Sequence, residues 1–334
     1  MPLGKSRWIW VASLACLLVF AALAGAGQLA PTGGAPAFRN VSEILAAHDR
    51  ALIRDLAEYL RQNPKAEDFD QAYMVQFSKA IDHDWFAENE ANAQRYLEEQ
   101  PQGGVRSLAQ IITTMARAQA GRFDESLASF LTLVRGLDRP DQEEFATNFA
   151  DTLATAATSA GEHEVARRVY EAVLKQFSQS PTLRQKVRDD LARLDRIGKP
   201  APALAVKDIG GQPLRLDQFK GKYVLVDFWA TWCAPCVAEL PNLQAVYSKY
   251  HPAGFDVVGV SLDESPDALT DFAKSRKIPW RQVHNSTSGA DLVEAFGVTT
   301  IPATFLVDPE GTIVRLELRG PALEQTVSKL LKVR

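Results

Sequence analysis

Cys233 and Cys236 stand in the run Trp232-Cys233-Ala234-Pro235-Cys236, a Cys-x-x-Cys placed where an apolar run ends and a helical pattern begins. A cysteine at a helix N-terminus faces unpaired backbone N–H groups and the positive end of the helix dipole, and both favour thiolate over thiol. The thiolate is the nucleophile in disulfide exchange, so Cys233 reads as the attacking residue. Pro235 fits the first helical turn, where its missing N–H costs nothing. Cys236 is near enough to close a small ring with Cys233 but deeper in the fold, which makes it the resolving thiol. Two other uses of the pair are weaker. A zinc site needs about four ligands, no second Cys-x-x-Cys exists, and His251 and His284 have no partnered spacing, so no metal and no other cofactor is expected. A structural disulfide across so short a loop would remove little chain entropy.

Resolution needs a group to take the proton of Cys236, and two acids are candidates. Asp227 lies in the apolar run between Val226 and Phe228, where burial would raise its pKa toward neutrality. Glu239 lies three residues beyond Cys236. Thr300-Ile301-Pro302 precedes another apolar run. Pro302 either begins a strand with an ordinary trans bond, or follows a cis bond that exposes the backbone of Thr300 and Ile301 to an extended substrate. Trp232, Thr300, Ile301 and Pro302 are therefore the candidate substrate-binding residues.

These residues need a framework. Tyr223 to Trp229 reads as a central strand, and Phe255 to Ser261 as another. Pro266 to Arg276 is helical by its spacing of Leu269, Phe272 and Ala273. Ala303 to Val307 and Thr312 to Leu316 flank Asp308-Pro309-Glu310-Gly311, a hairpin with suitable turn residues. Pro321 to Val333 closes with a helix. The alternation over 198–334 predicts an α/β domain with a mixed sheet.

Residues 38–196 read instead as an all-α domain, with apolar residues recurring at three and four, as in Val41, Ile44, Leu45, Leu52, Ile53, Leu56 and Leu60. Gly121 and Gly161 each sit between helical runs, and each is followed by an aromatic, Phe130 or Tyr170. This echo is similar to helix-hairpin tetratricopeptide repeats, with a longer spacing. It suggests either a partner-binding array or a domain that packs its own core. His48, His83 and His163 have no ligand-like spacing and read as surface or capping residues.

The 334 residues suggest about two domains. The balance of 37 basic against 41 acidic side chains gives no electrostatic reason to expect nucleic acid. Lys5 and Arg7 precede the uncharged stretch Trp8 to Ala30. Residues 1–30 read as an export signal with small-x-small cleavage positions near Ala24, or as a retained membrane anchor with Lys5 and Arg7 on the cytoplasmic side. Residues 31–37, rich in Pro and Gly, are the linker. Cys16 only loosely fits a lipidation motif and reads as an inert leader residue.

The run from Asp227 through Cys236, with Glu239, Pro241 and Gly297 through Asp308, resembles the thioredoxin superfamily, and within it the TlpA/ResA-like membrane-anchored thiol–disulfide oxidoreductases. Gly221-Lys222 and the segment Asp263 to Arg276 add to the likeness, which covers about Gly198 to Arg334. The resemblance implies a thioredoxin fold, a cis Pro302, Cys233 as nucleophile and Cys236 as resolving thiol. It implies protein disulfides as substrates, an electron-donating thiol protein as partner, and work in the periplasm or another extracytoplasmic space. Two departures stand out. Ala303 replaces the acidic residue that relatives devoted to cytochrome c maturation often carry after the cis-proline. Ala230 and Val226 stand where peroxiredoxins need Thr or Ser and Pro, which argues against peroxide reduction. The expected activity is reduction of protein disulfides; the alternatives are an adaptor whose helical domain binds partners, or a disulfide oxidase or isomerase.

Overall fold

In a computed structural model the chain is described at residue 38 and over residues 40–332. The export segment, its Cys16 and the 31–37 linker lie outside those residues. Among the described residues no helix is long and apolar enough to cross a membrane.

The three-and-four spacing produces helices α1 (Val41–Gln62), α2 (Phe69–Asp82), α3 (Phe86–Glu99), α4 (Arg106–Gln119), α5 (Phe123–Arg135), α6 (Glu143–Ala160), α7 (His163–Gln176) and α8 (Pro181–Leu194). Gly121 turns the chain from α4 into α5 at φ +72°, and Gly161 from α6 into α7 at φ +92°. Both lie in the left-handed region that residues with a Cβ adopt only with strain. Phe130 and Tyr170 are buried on the second helix of each pair. Ser180 caps α8 by accepting the Leu183 N–H, and Pro181 begins the helix. The stripe on α1 is buried only toward its C-terminal end. Leu60 is buried and Ile53 and Leu56 pack on the core, while Val41 and Leu45 are 70% and 59% exposed. Periodicity fixes which residues share a face, not whether anything covers it.

The second half adds a small antiparallel pair, β1 (Ala205–Lys207) and β2 (Pro213–Arg215), and then the main sheet. Its elements run β3 (Tyr223–Trp229), α9 (Ala234–Tyr250), β4 (Phe255–Ser261), α10 (Pro266–Ser275), β5 (Arg281–His284), α11 (Leu292–Phe296), β6 (Ala303–Val307), β7 (Ile313–Leu316) and α12 (Gly320–Leu331). The strand order is β5-β4-β3-β6-β7. β3, β4 and β5 run parallel, whereas β6 is antiparallel to β3, and β7 to β6. The mixed sheet is the one expected.

Alternation along β3 decides what reaches the chemistry. Val224, Val226 and Phe228 enter an apolar cluster that continues through the helical half. Leu225 and Trp229 point to the other face and pack with Leu240, Leu243, Val246, Leu323 and Val327 of α9 and α12. Asp227, two residues from each of them, shares that second face. From Arg50 onward the helices and the sheet form one compact unit. Beyond α8 the chain runs along β7: Gly198 N–H donates to the Ile313 carbonyl at 2.8 Å, and Ile313 N–H to the Lys199 carbonyl at 3.0 Å.

Candidate active site

The central strand delivers the chain to the cysteines. After Trp229, residues Ala230 to Trp232 turn, and the Cys233 N–H closes the turn on the Ala230 carbonyl at 3.1 Å. Cys233 is the N-cap of α9, its Sγ accepting the Cys236 N–H at 3.3 Å. The two sulfurs are bonded to each other. Pro235 lies in the first turn and Pro241 inside the helix. Trp232 is 65% exposed beside the pair.

Cys236 is no deeper than Cys233 by exposure, at 5% against 6%. What separates them is what they face. Cys236 lines a cavity of about 10 Å³ together with Asp227, Glu239, Pro302 and Arg319, which is about the space one water centre needs. Cys233 does not line it. Both acids suggested as proton acceptors thus line one cavity with the same cysteine, and they differ in occupation. Glu239 Oε1 accepts from Asn242 Nδ2 at 2.6 Å and from the Gly320 N–H at 2.8 Å, the latter at the start of α12. The Asp227 carboxyl accepts no side-chain hydrogen bond among the described residues and is 9% exposed. Burial pushes it up to about 7, with the Arg319 guanidinium opposing that rise and the Glu239 charge adding to it.

The loop before β6 forms another wall. The Ile301–Pro302 peptide bond is cis. Thr300 is exposed, Pro302 is half-buried, and Ile301 packs on the apolar cluster that holds both cysteines. The Pro302 carbonyl accepts from Arg319 Nη2 at 3.0 Å.

Three residues at the site are not among those that the sequence singles out for chemistry. Asp263, 5% exposed, accepts from the Thr231 N–H at 3.0 Å and the Thr231 hydroxyl at 2.7 Å, and from the Ser261 hydroxyl at 2.7 Å. It holds the turn that presents Trp232 and Cys233. Its position just past the carboxyl end of β4, beside the end of β3, is where parallel sheets gather functional groups, so strand register could have pointed to it. Arg319 and its partner Glu317 follow β7, far from the cysteines in sequence and inside no motif.

A sheet of order β5-β4-β3-β6-β7 with a disulfide-bonded Cys-x-x-Cys opening the helix after its central strand is a thioredoxin-like domain, and its relatives place it among the thiol–disulfide oxidoreductases. The AhpC/TSA family matches over residues 197–316. A thiol-disulfide oxidoreductase ResA from Bacillus thuringiensis is 32% identical over 136 residues, covering 41% of this chain and 77% of the relative. ResA from Bacillus subtilis is 34% identical over 119 residues, 36% of this chain and 65% of the relative. Among solved structures, the thioredoxin domain of a thiol-disulfide oxidoreductase from Bacteroides vulgatus is 37% identical, covers 40% of this chain and 97% of its own, and has a TM-score of 0.37. The chain belongs to the ResA-like family of thiol–disulfide oxidoreductases.

Proposed function

We propose that this protein is exported and reduces protein disulfides through the Cys233/Cys236 dithiol. The observation that carries the reading is the placement of one sulfur at the N-cap of α9 and the other against a buried acid. In the reduced protein the α9 N-terminus favours the Cys233 thiolate. That thiolate attacks one sulfur of the substrate, and the second substrate sulfur leaves as a thiolate and takes a proton. Cys236 then gives its proton to Asp227 and attacks Cys233 Sγ, which releases the first substrate sulfur. Two electrons have passed to the substrate, and the protein holds the Cys233–Cys236 disulfide until a dithiol donor reduces it. Asp227 is the favoured acceptor because its carboxyl is unoccupied and raised to about 7. Glu239 shapes it through charge. Trp232, Thr300, Ile301 and Pro302 form the substrate-facing rim. Residues 198–334 carry this chemistry, the helical domain spans 38–196, and residues 1–30 supply the export signal or anchor.

The test is covalent capture. Cys236→Ser cannot resolve, so it accumulates mixed disulfides with its substrates, while the pre-reduced wild type reduces a protein disulfide such as that of insulin. No adduct together with no reduction contradicts the reading. Direction is read from the midpoint potential: a reductase lies nearer thioredoxin, about −270 mV, than the strong oxidant DsbA, about −120 mV.

A further inference from the structure

The helical half meets the substrate-facing rim. A cavity of about 460 Å³ has Thr300 and Pro302 on one side and residues of α6, α7 and α8 on the other, among them Thr182 and Asp189. That volume is in the range of clefts that hold ligands, about 300–1,000 Å³. Pro302 and Arg319 also line the small cavity at Cys236 and Asp227, so the two spaces share a wall.

The charges of the larger cavity are ordered. Asp151 Oδ1 lies 2.6 Å from Lys186 Nζ, which lies 2.7 Å from Asp190 Oδ2. Asp190 Oδ1 is 3.0 Å from Arg193 Nη2, and Arg193 Nη1 is 3.6 Å from Glu317 Oε1. Glu317 in turn pairs with Arg319, which donates to the Pro302 carbonyl. These six groups alternate in sign and cancel as a set. Asp189 stands outside the set. Its carboxylate takes a hydrogen bond from the neutral Gln185 amide at 2.8 Å and pairs with no cation among the described residues. The pocket therefore keeps one uncompensated negative charge and hydroxyls on both sides of it.

We propose that this pocket is a substrate subsite, walled by the helical half, that takes a basic side chain of the polypeptide next to the disulfide under attack. The proposal rests on the reductase reading above. A disulfide substrate carries chain on either side of its sulfurs, and chain leaving Cys233 past Pro302 enters this space. The occupant is an extended peptide with Lys or Arg beside its cysteine. The helical half thereby selects among substrates at the site itself.

The test uses the full chain, pre-reduced, in single turnovers with two peptide disulfides of equal length, one with Lys and one with Glu beside the cysteine. Each turnover converts the Cys233/Cys236 dithiol to a disulfide and the peptide disulfide to two thiols. The second-order rate constant is expected to favour the Lys peptide about fivefold, as a partly exposed ion pair allows, with the preference shrinking as salt rises. Asp189→Lys reverses the preference and Asp189→Asn brings the ratio close to one. The ratio is measured within one preparation, so partial misfolding of a variant does not change it. Equal rates in the wild type, or an unchanged ratio in Asp189→Lys, overturn the subsite and leave the reductase reading standing. Reduction of neither peptide overturns both.

Discussion

At the scale of single residues, Asp227 and Glu239 have opposite surroundings in one cavity, and charge makes their roles separable. Burial gives the Asp227 carboxyl its largest upward push, which Arg319 opposes and Glu239 adds to. If Asp227 takes the Cys236 proton, Arg319→Gln moves that limb of the pH–rate profile for resolution to higher pH, and Glu239→Gln moves it to lower pH. Loss of the limb in Glu239→Gln would instead make Glu239 the acceptor. The same raised pKa has a stability consequence. An unfolded aspartate titrates near 3.9, so between about pH 4 and 7 the folded state holds the extra proton, and stability falls as pH rises through that window. Asp227→Asn should therefore stabilise the oxidised protein at pH 8, by up to about 4 kcal/mol, with the gain fading toward pH 4. Thermal melts at the two pH values check this.

At the scale of elements, the cysteine turn is held from the segment beyond a neighbouring strand as well as by its own helix. Asp263, just beyond β4, fixes Thr231 through both its N–H and its hydroxyl. Asp263→Ala leaves those donors in a partly buried place and should cost about 1–3 kcal/mol of stability. Its exchange rate should fall as well, because Cys233 is no longer held in one pose; chemical unfolding and single-turnover kinetics report the two effects. Much of this scale was legible in the sequence. The near-continuous apolar runs became β3 and β4 at the expected bounds, and the turn residues at Asp308–Gly311 became the β6–β7 hairpin. Period-two alternation already places Asp227 on the face of Leu225 and Trp229. Asp263 escaped because its role depends on which strand lies beside β3, and local periodicity says nothing about strand order. Arg319 escaped for the same reason, since only the β7-to-α12 connection brings it under Pro302. On α1 the stripe was legible, but its exposed first half was not, because cover is a property of neighbours.

At the scale of the whole molecule, the helical half and the sheet are joined by pairing, packing and charge. The chain after α8 hydrogen-bonds along β7, the Ser159 hydroxyl donates to the Glu317 carbonyl, and Arg196 Nη1 donates to the Ala295 carbonyl at 2.9 Å. Glu317 is the shared acid of this junction, its side chain 8% exposed between Arg193 and Arg319. Removing one partner of a buried ion pair leaves the other charge uncompensated. Glu317→Ala should thus destabilise the protein by about 3 kcal/mol, read from the midpoint of chemical unfolding. The helical half carried no motif that foretold this junction, because ion pairs between distant segments leave no period in a sequence. Its weak repeat echo was visible, and that echo does not say what the helices face.

The assignment of Cys233 as attacker and Cys236 as resolver is the claim on which the rest depends, and alkylation of the reduced full chain across pH tests it most directly. A limiting amount of iodoacetamide is expected to modify Cys233, with a midpoint below the value of about 8.5 for a free thiol, while Cys236 stays unmodified. Preferential modification of Cys236, or a Cys233 midpoint at or above about 8.5, would contradict it.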